Sequence, residues 1–213
     1  MTRGRLIWLV IFVAAFAWVE SAVVVYLRAI YYPGGFDFPL KLIPGRIAGI
    51  EVGREICTIF ILWAVGHFAG RDAWERFLVF CAAFAGWDIL YYVWLRVFIG
   101  WPPSLLTLDV LYLVPVPWIA PVLAPVLISV SMIAVSALLL RLKARGARLW
   151  FAPWQWVVAV AGGGVCLLSF VLDFRAVLEG RMPAPFRWEI FLAGLAMAWT
   201  AVLIGARRLR PLQ

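Results

Sequence analysis

Histidine occurs once in this 213-residue chain, cysteine three times, and Asp and Glu together only 11 times. Each scarcity excludes something. The single histidine, His67, cannot supply bis-histidine haem ligation within the chain. Histidine-rich zinc or di-iron sites and a Ser/His/Asp hydrolase have no supporting motif. Cys57, Cys81 and Cys166 fall in apolar stretches without CxxC or metal-ligand spacing, so they read as small buried hydrophobes, not as a disulfide framework. Charged residues are 14% of the sequence, too few to cover the surface of a fold with one aqueous core.

Apolar residues are abundant: 66% of the chain is hydrophobic and its mean hydropathy is +0.99. Lipid is the matching solvent. The expectation is an all-α, polytopic membrane helix bundle forming a single integral membrane domain over residues 1–213, with the lipid bilayer as its first partner. The formal charge of +8 suggests nucleic acid only superficially, because the basic residues lie in short clusters between apolar spans, where topology accounts for them. No nucleic-acid partner is expected.

A helix crosses a hydrocarbon core of about 30 Å with about 20 apolar residues. That ruler predicts spans over residues 6–27, 50–68, 77–99, 118–140, 154–174 and 188–206, six crossings in all. Residues 1–27 have the flavour of a signal peptide, but the apolar run from Leu6 is long enough to be an uncleaved first helix. The stretch Leu105 to Leu140 is 36 residues long and carries Pro115, Pro117, Pro121 and Pro125, too long and too broken for one span. Proline removes a backbone donor and clashes with the preceding turn. The region around Pro115 and Pro117 is therefore predicted to separate a short half-helix, Leu105 to Val114, from a fourth crossing that begins at Trp118.

With the N-terminus inside, cytoplasmic segments hold Arg3, Arg5, Arg71, Arg76, Arg141, Lys143, Arg145, Arg148, Arg207, Arg208 and Arg210, 11 of the 19 basic residues. The other side holds seven, Arg28, Lys41, Arg46, Arg96, Arg175, Arg181 and Arg187, and Arg54 lies within a span. The positive-inside bias thus favours an inner-membrane protein with both termini cytoplasmic. Trp101, Trp118, Trp150, Trp154, Trp156 and Trp188 fall near span ends, where an amphipathic ring suits the headgroups; Trp18, Trp63, Trp87 and Trp199 are deeper, in inter-helix packing or a pocket wall. Small residues, Ala161 to Gly164 in the fifth span and Gly194, Ala198, Ala201 and Gly205 in the sixth, permit close helix packing. No internal repeat is discernible, so an inverted-repeat transporter gains no support.

Ionisable residues at membrane depth are expensive and face a partner or a wet cavity. Here they gather in the outer half of the first four helices. Glu20 lies in the first span; Glu51, Arg54 and Glu55 in the second; Asp88, Tyr91, Tyr92 and Arg96 in the third; Asp109 and Tyr112 in the broken segment. Glu51 and Glu55 are four apart and share a face, as do Asp88, Tyr91 and Tyr92, and Tyr92 with Arg96. Arg54 or Arg96 could neutralise part of the acidic charge, and the surplus carboxylate would answer a proton, a cation or a cationic ligand. The candidate site is Glu20, Arg54, Glu55, Asp88, Tyr91, Tyr92 and Asp109. The bland alternative is a structural ion pair, Arg54 with Glu55 or Asp88, that fixes helix register. An all-oxygen Mg²⁺ or Ca²⁺ site has no motif spacing behind it, and no cofactor is specified.

Three functions fit these residues. The chain binds or transports a proton, cation or small molecule; or it is an intramembrane enzyme acting on a lipid, isoprenoid or quinone-like substrate, with Asp88 or Glu55 as general acid and Arg54 as orienter. Or it is a non-catalytic subunit docked to membrane-protein partners or to further copies of itself.

Overall fold

The computed structural model describes residues 3–40, 44–113 and 115–208. Lys41, Val114 and Arg210, used above for topology and for a span end, lie outside them. Seven helices and two strands follow one another as α1 (Arg3–Tyr31), α2 (Gly45–Ala69), α3 (Ala73–Ile99), β1 (Leu108–Tyr112), β2 (Trp118–Pro121), α4 (Leu123–Ala144), α5 (Pro153–Val171), the five-residue α6 (Phe174–Leu178) and α7 (Trp188–Arg208).

Among the described residues five stretches are long and apolar enough to cross a membrane: α1, α3, α4, α5 with α6, and α7. Side chains such as Trp8, Phe60, Val157 and Val160 stand exposed on the helix surfaces. In water such faces would associate; in a bilayer they are simply solvated. These features fit a multi-pass integral membrane protein. The second helix is not among the five, since Arg46, Glu51, Arg54 and Glu55 crowd its first half.

The segment expected to be a half-helix is instead a strand. Antiparallel pairing sets Asp109 opposite Ala120 and Val110 opposite Ile119, and the hairpin is continued by Val122 N–H to Thr107 O at 3.0 Å and Leu123 N–H to Leu105 O at 2.8 Å. The physical reason is backbone satisfaction. A half-helix before two prolines leaves its last carbonyls unpaired, whereas a hairpin pairs them across the ladder and puts Pro115 and Pro117 in the turn. Consequently the fourth long helix begins at Leu123, not at Trp118.

Helix ends follow local chemistry. Asp72 caps α3 by accepting the Glu75 N–H at 3.1 Å, while Glu75 accepts the Arg71 N–H at 3.0 Å. At its other end Gly100 takes the left-handed conformation, φ 66°, that closes the helix. Pro153 starts α5, where its missing N–H is harmless.

The helices form two groups. Leu9, Val13 and Ala17 of α1 pack with Leu62 of α2 and Val79, Ala83 and Trp87 of α3, and α4 lies against α3. The fifth and seventh helices pair through glycine. A Cβ on Gly162 would meet Gly194 O at 2.6 Å, and one on Gly194 would meet Gly162 O at 2.6 Å. The small residues of these two spans therefore serve each other. Gly163 and Gly164 face open space. Replacing Gly162 or Gly194 by valine is expected to destabilise the fold by about 1–3 kcal/mol through overpacking. In a thermal scan read by tryptophan fluorescence the midpoint should fall for both, and Gly164→Ala should not lower it.

Candidate functional site

At the end of the bundle that carries the hairpin, α1 to α4, both strands, α5 and α6 line a cavity of about 430 Å³. Every candidate from the sequence, Glu20, Arg54, Glu55, Asp88, Tyr91, Tyr92 and Asp109, lines it. Each arrives by helical spacing or on the hairpin. On α2 the positions 51, 54, 55 and 58 recur at the spacing of one helix face; on α3, 84, 87, 88, 91 and 92 do the same.

Arg54 is the first anchor. Its Nη1 donates to Glu20 on α1 and its Nε donates to Glu51 at 2.9 Å on its own helix. The Thr58 hydroxyl donates to the same Glu20 oxygen at 3.1 Å. Both carboxylates are buried. Each is thus held by a guanidinium, the geometry that makes a buried carboxylate tolerable.

Arg28 is the second anchor, eight residues along α1 from Glu20. It donates through Nη2 to Asp109 at 3.2 Å, and Tyr92 donates its hydroxyl to the other Asp109 oxygen at 3.2 Å. Its guanidinium carbon lies 3.7 Å from the ring centroid of Trp101 and 4.2 Å from that of Phe36, two cation-π contacts with rings that stand perpendicular to each other.

Two carboxylates remain without a cation. Glu55 is buried and accepts the Leu113 N–H at 2.9 Å, and Asp88 accepts the Ser129 hydroxyl at 2.8 Å. Neither has an Arg or Lys nitrogen within 4.0 Å among the described residues. The Tyr112 hydroxyl meanwhile donates to Glu55 O at 3.0 Å, which fastens the hairpin to α2.

Some expectations need correcting. Arg96, grouped with Tyr92, is exposed and donates to Gly100 O and, at 3.0 Å, to Pro102 O; it caps the end of α3 and takes no part in the cavity. The Arg54 partners are Glu20 and Glu51, not Glu55 or Asp88. Trp18 and Trp63, 45% and 52% exposed, line neither cavity and pack between helices as expected, on Phe98 and Phe80 of α3, while Trp87 is in the cavity wall. Sequence reasoning placed Arg28 only as a topological charge. Its signal was there: 20, 24, 27, 28 and 31 share one face of α1 and all line the cavity. Ser129, one of three serines in α4, carries no comparable signal.

A second cavity of about 480 Å³ lies towards the opposite end, among α3, α4, α5 and α7, and is mostly apolar. Ile128 of α4 and Leu167 of α5 belong to the walls of both cavities. Among the described residues no group of three or more His, Cys, Asp or Glu is arranged to hold a metal ion. His67 contacts the Phe68 ring and lines neither cavity.

No protein family, curated protein or solved structure matches the chain. What fold and composition define is a class, the multi-pass integral membrane protein.

Arg54→Ala should leave Glu20 and Glu51 buried without a counter-charge and cost about 3–5 kcal/mol. The triple change Glu20→Gln, Glu51→Gln, Arg54→Met should recover most of that loss. Unfolding in detergent, followed by tryptophan fluorescence, measures both; an Arg54→Ala protein as stable as the parent would show that the clamp contributes nothing. The Lys143 pair with Asp72, whose side chain is 48% exposed, is the control, and breaking it should change little.

Proposed function

We propose that this chain is a six-span protein of a cytoplasmic-type inner membrane, with both termini on the cytoplasmic side. Its outer-half cavity binds a proton, a cation or a small cationic molecule through Glu55 and Asp88. One observation carries the reading: Glu20, Glu51 and Asp109 are each held by an arginine, whereas Glu55 and Asp88, on the same cavity, have only neutral donors. A carboxylate with no ion pair of its own at membrane depth is where a mobile positive charge is best stabilised. On this proposal the second helix is the sixth crossing, its charged half shielded by α1, α3 and the hairpin, and the basic ends of α1, α4 and α7 face the cytoplasm.

An intramembrane enzyme acting on a lipid, isoprenoid or quinone-like molecule is the second reading, and it draws on the apolar cavity that adjoins the acidic one. Glu55 and Asp88 would then supply the proton. Arg54, already tied to two carboxylates, is a positioning residue in either case.

Calorimetric titration of the purified protein with methylammonium tests the first reading. Glu55→Gln and Asp88→Asn should each weaken binding by roughly tenfold or more, about 1.4 kcal/mol. Equal binding by parent and both variants would overturn it. Uptake of the same cation into proteoliposomes separates transport from binding alone.

A further inference from the structure

Four buried side-chain nitrogens among the described residues have no hydrogen-bond partner: Arg28 Nη1, Trp87 Nε1, Trp118 Nε1 and Gln155 Nε2. Their placement is not scattered. Arg28, Trp87 and Trp118 line the acidic cavity, and Gln155 lines the apolar one. A buried N–H without an acceptor is costly, and native proteins keep few of them without a reason. The acidic cavity therefore offers two kinds of unmet demand. Its carboxylates Glu55 and Asp88 call for a positive N–H donor, and the N–H groups buried in its wall, which a side-chain rotation would turn inward, call for oxygen acceptors.

The second cavity adds an apolar requirement. The pair α5 and α7 meets α3 and α4 along a seam closed at three places. Trp118 meets Phe170 at 6.3 Å near the hairpin, Trp199 Nε1 donates to Ser131 at 2.9 Å, and Trp74 stacks on Trp156 at 5.7 Å near the basic end. Along that seam the hollow is walled by side chains such as Met132, Val135, Leu139 and Leu195. Ile128 and Leu167 stand in the walls of both cavities, so the two hollows adjoin there.

We propose that the two cavities hold one zwitterionic amphiphile, a phospholipid with a primary amine in its head. Its ammonium sits towards Glu55 and Asp88, its phosphate and ester oxygens accept from Arg28, Trp87 and Trp118, and one acyl chain passes Ile128 and Leu167 into the apolar cavity. This rests on the acidic-cavity reading and narrows it. A choline head has the charge but no N–H donors, and a glycerol head has no positive charge, so neither meets both demands. Each cavity alone is of ligand-binding size.

The test uses the full chain in nanodiscs of equal parts phosphatidylethanolamine, phosphatidylglycerol and phosphatidylcholine, with retained lipid counted by native mass spectrometry. Phosphatidylethanolamine should be held in preference by roughly tenfold, and the preference should vanish in Glu55→Gln and in Asp88→Asn. Val135→Trp and Met132→Trp, which fill only the apolar cavity, should lower retained lipid. Binding of O-phosphoethanolamine, the head without chains, should be unchanged in both by calorimetry. No head preference in the parent protein overturns the amphiphile. If phosphoethanolamine or methylammonium binding then still depends on Glu55 and Asp88, the acidic-cavity reading survives alone; if it does not, both fall. A preference that persists in the folded Val135→Trp and Met132→Trp proteins with undiminished lipid overturns the placement of the chain.

Discussion

Arg54 makes the hairpin end of this bundle possible. A helix that carries Glu51, Arg54 and Glu55 within five residues cannot sit against apolar neighbours unless its charge is answered. One guanidinium answers two carboxylates, one on its own helix and one on α1, and so fixes the rotation of α2 about its axis. That rotation aims the rest of the helix face. With 51 and 54 committed to the clamp, 55 and 58 lie along the same face and open onto the cavity. Arg28 repeats the device between α1 and the hairpin, and the rings of Trp101 and Phe36 against it replace part of the water it gives up.

The hairpin is the other constraint. Backbone that is neither helical nor paired leaves costly unsatisfied groups wherever it is buried, and the proline-rich connection before α4 would be such backbone. Pairing β1 with β2 removes the difficulty and delivers Asp109 to Arg28, the Leu113 N–H to Glu55 and Ser129, in the first half of α4, to Asp88. A feature forced by backbone chemistry thereby supplies the fourth wall of the cavity.

Much of this was legible in the sequence because lipid is a strict solvent. Apolar runs placed six stretches where long helices are found, five of them long and apolar enough to cross a membrane, and the cost of burying charge drew attention to Glu20, Glu55, Asp88 and Asp109, all on one cavity. Pairing was not legible. Whether Arg54 reaches Glu20 or Asp88 depends on helix rotation, which a sequence does not state, and Arg96 was misjudged because free carbonyls at the end of α3 compete for its guanidinium. The hairpin was missed for a related reason. Proline announces that a helix stops, but partnership between Leu108–Tyr112 and Trp118–Pro121 arises from their proximity in space, not from periodicity in either.

Polarity is distributed so unevenly that it bears on mechanism. The acidic cavity has charged residues on several sides, whereas the apolar one has only Ser131, Ser136, Gln155 and the thiols of Cys81 and Cys166 among its hydrocarbon and aromatic walls, and Ser131 is already engaged by Trp199. A hydrated ion passing from one to the other would exchange carboxylates for hydrocarbon at Ile128 and Leu167, with no group there to replace its water. An acyl or isoprenoid chain meets no such barrier at that junction, since its surroundings in the bilayer are equally apolar. The two cavities in series therefore suit a molecule with a polar head and an apolar chain better than they suit an ion that crosses, and the same contrast explains why α5 and α7, which mainly wall the apolar side, are held together by glycine contacts and not by charge.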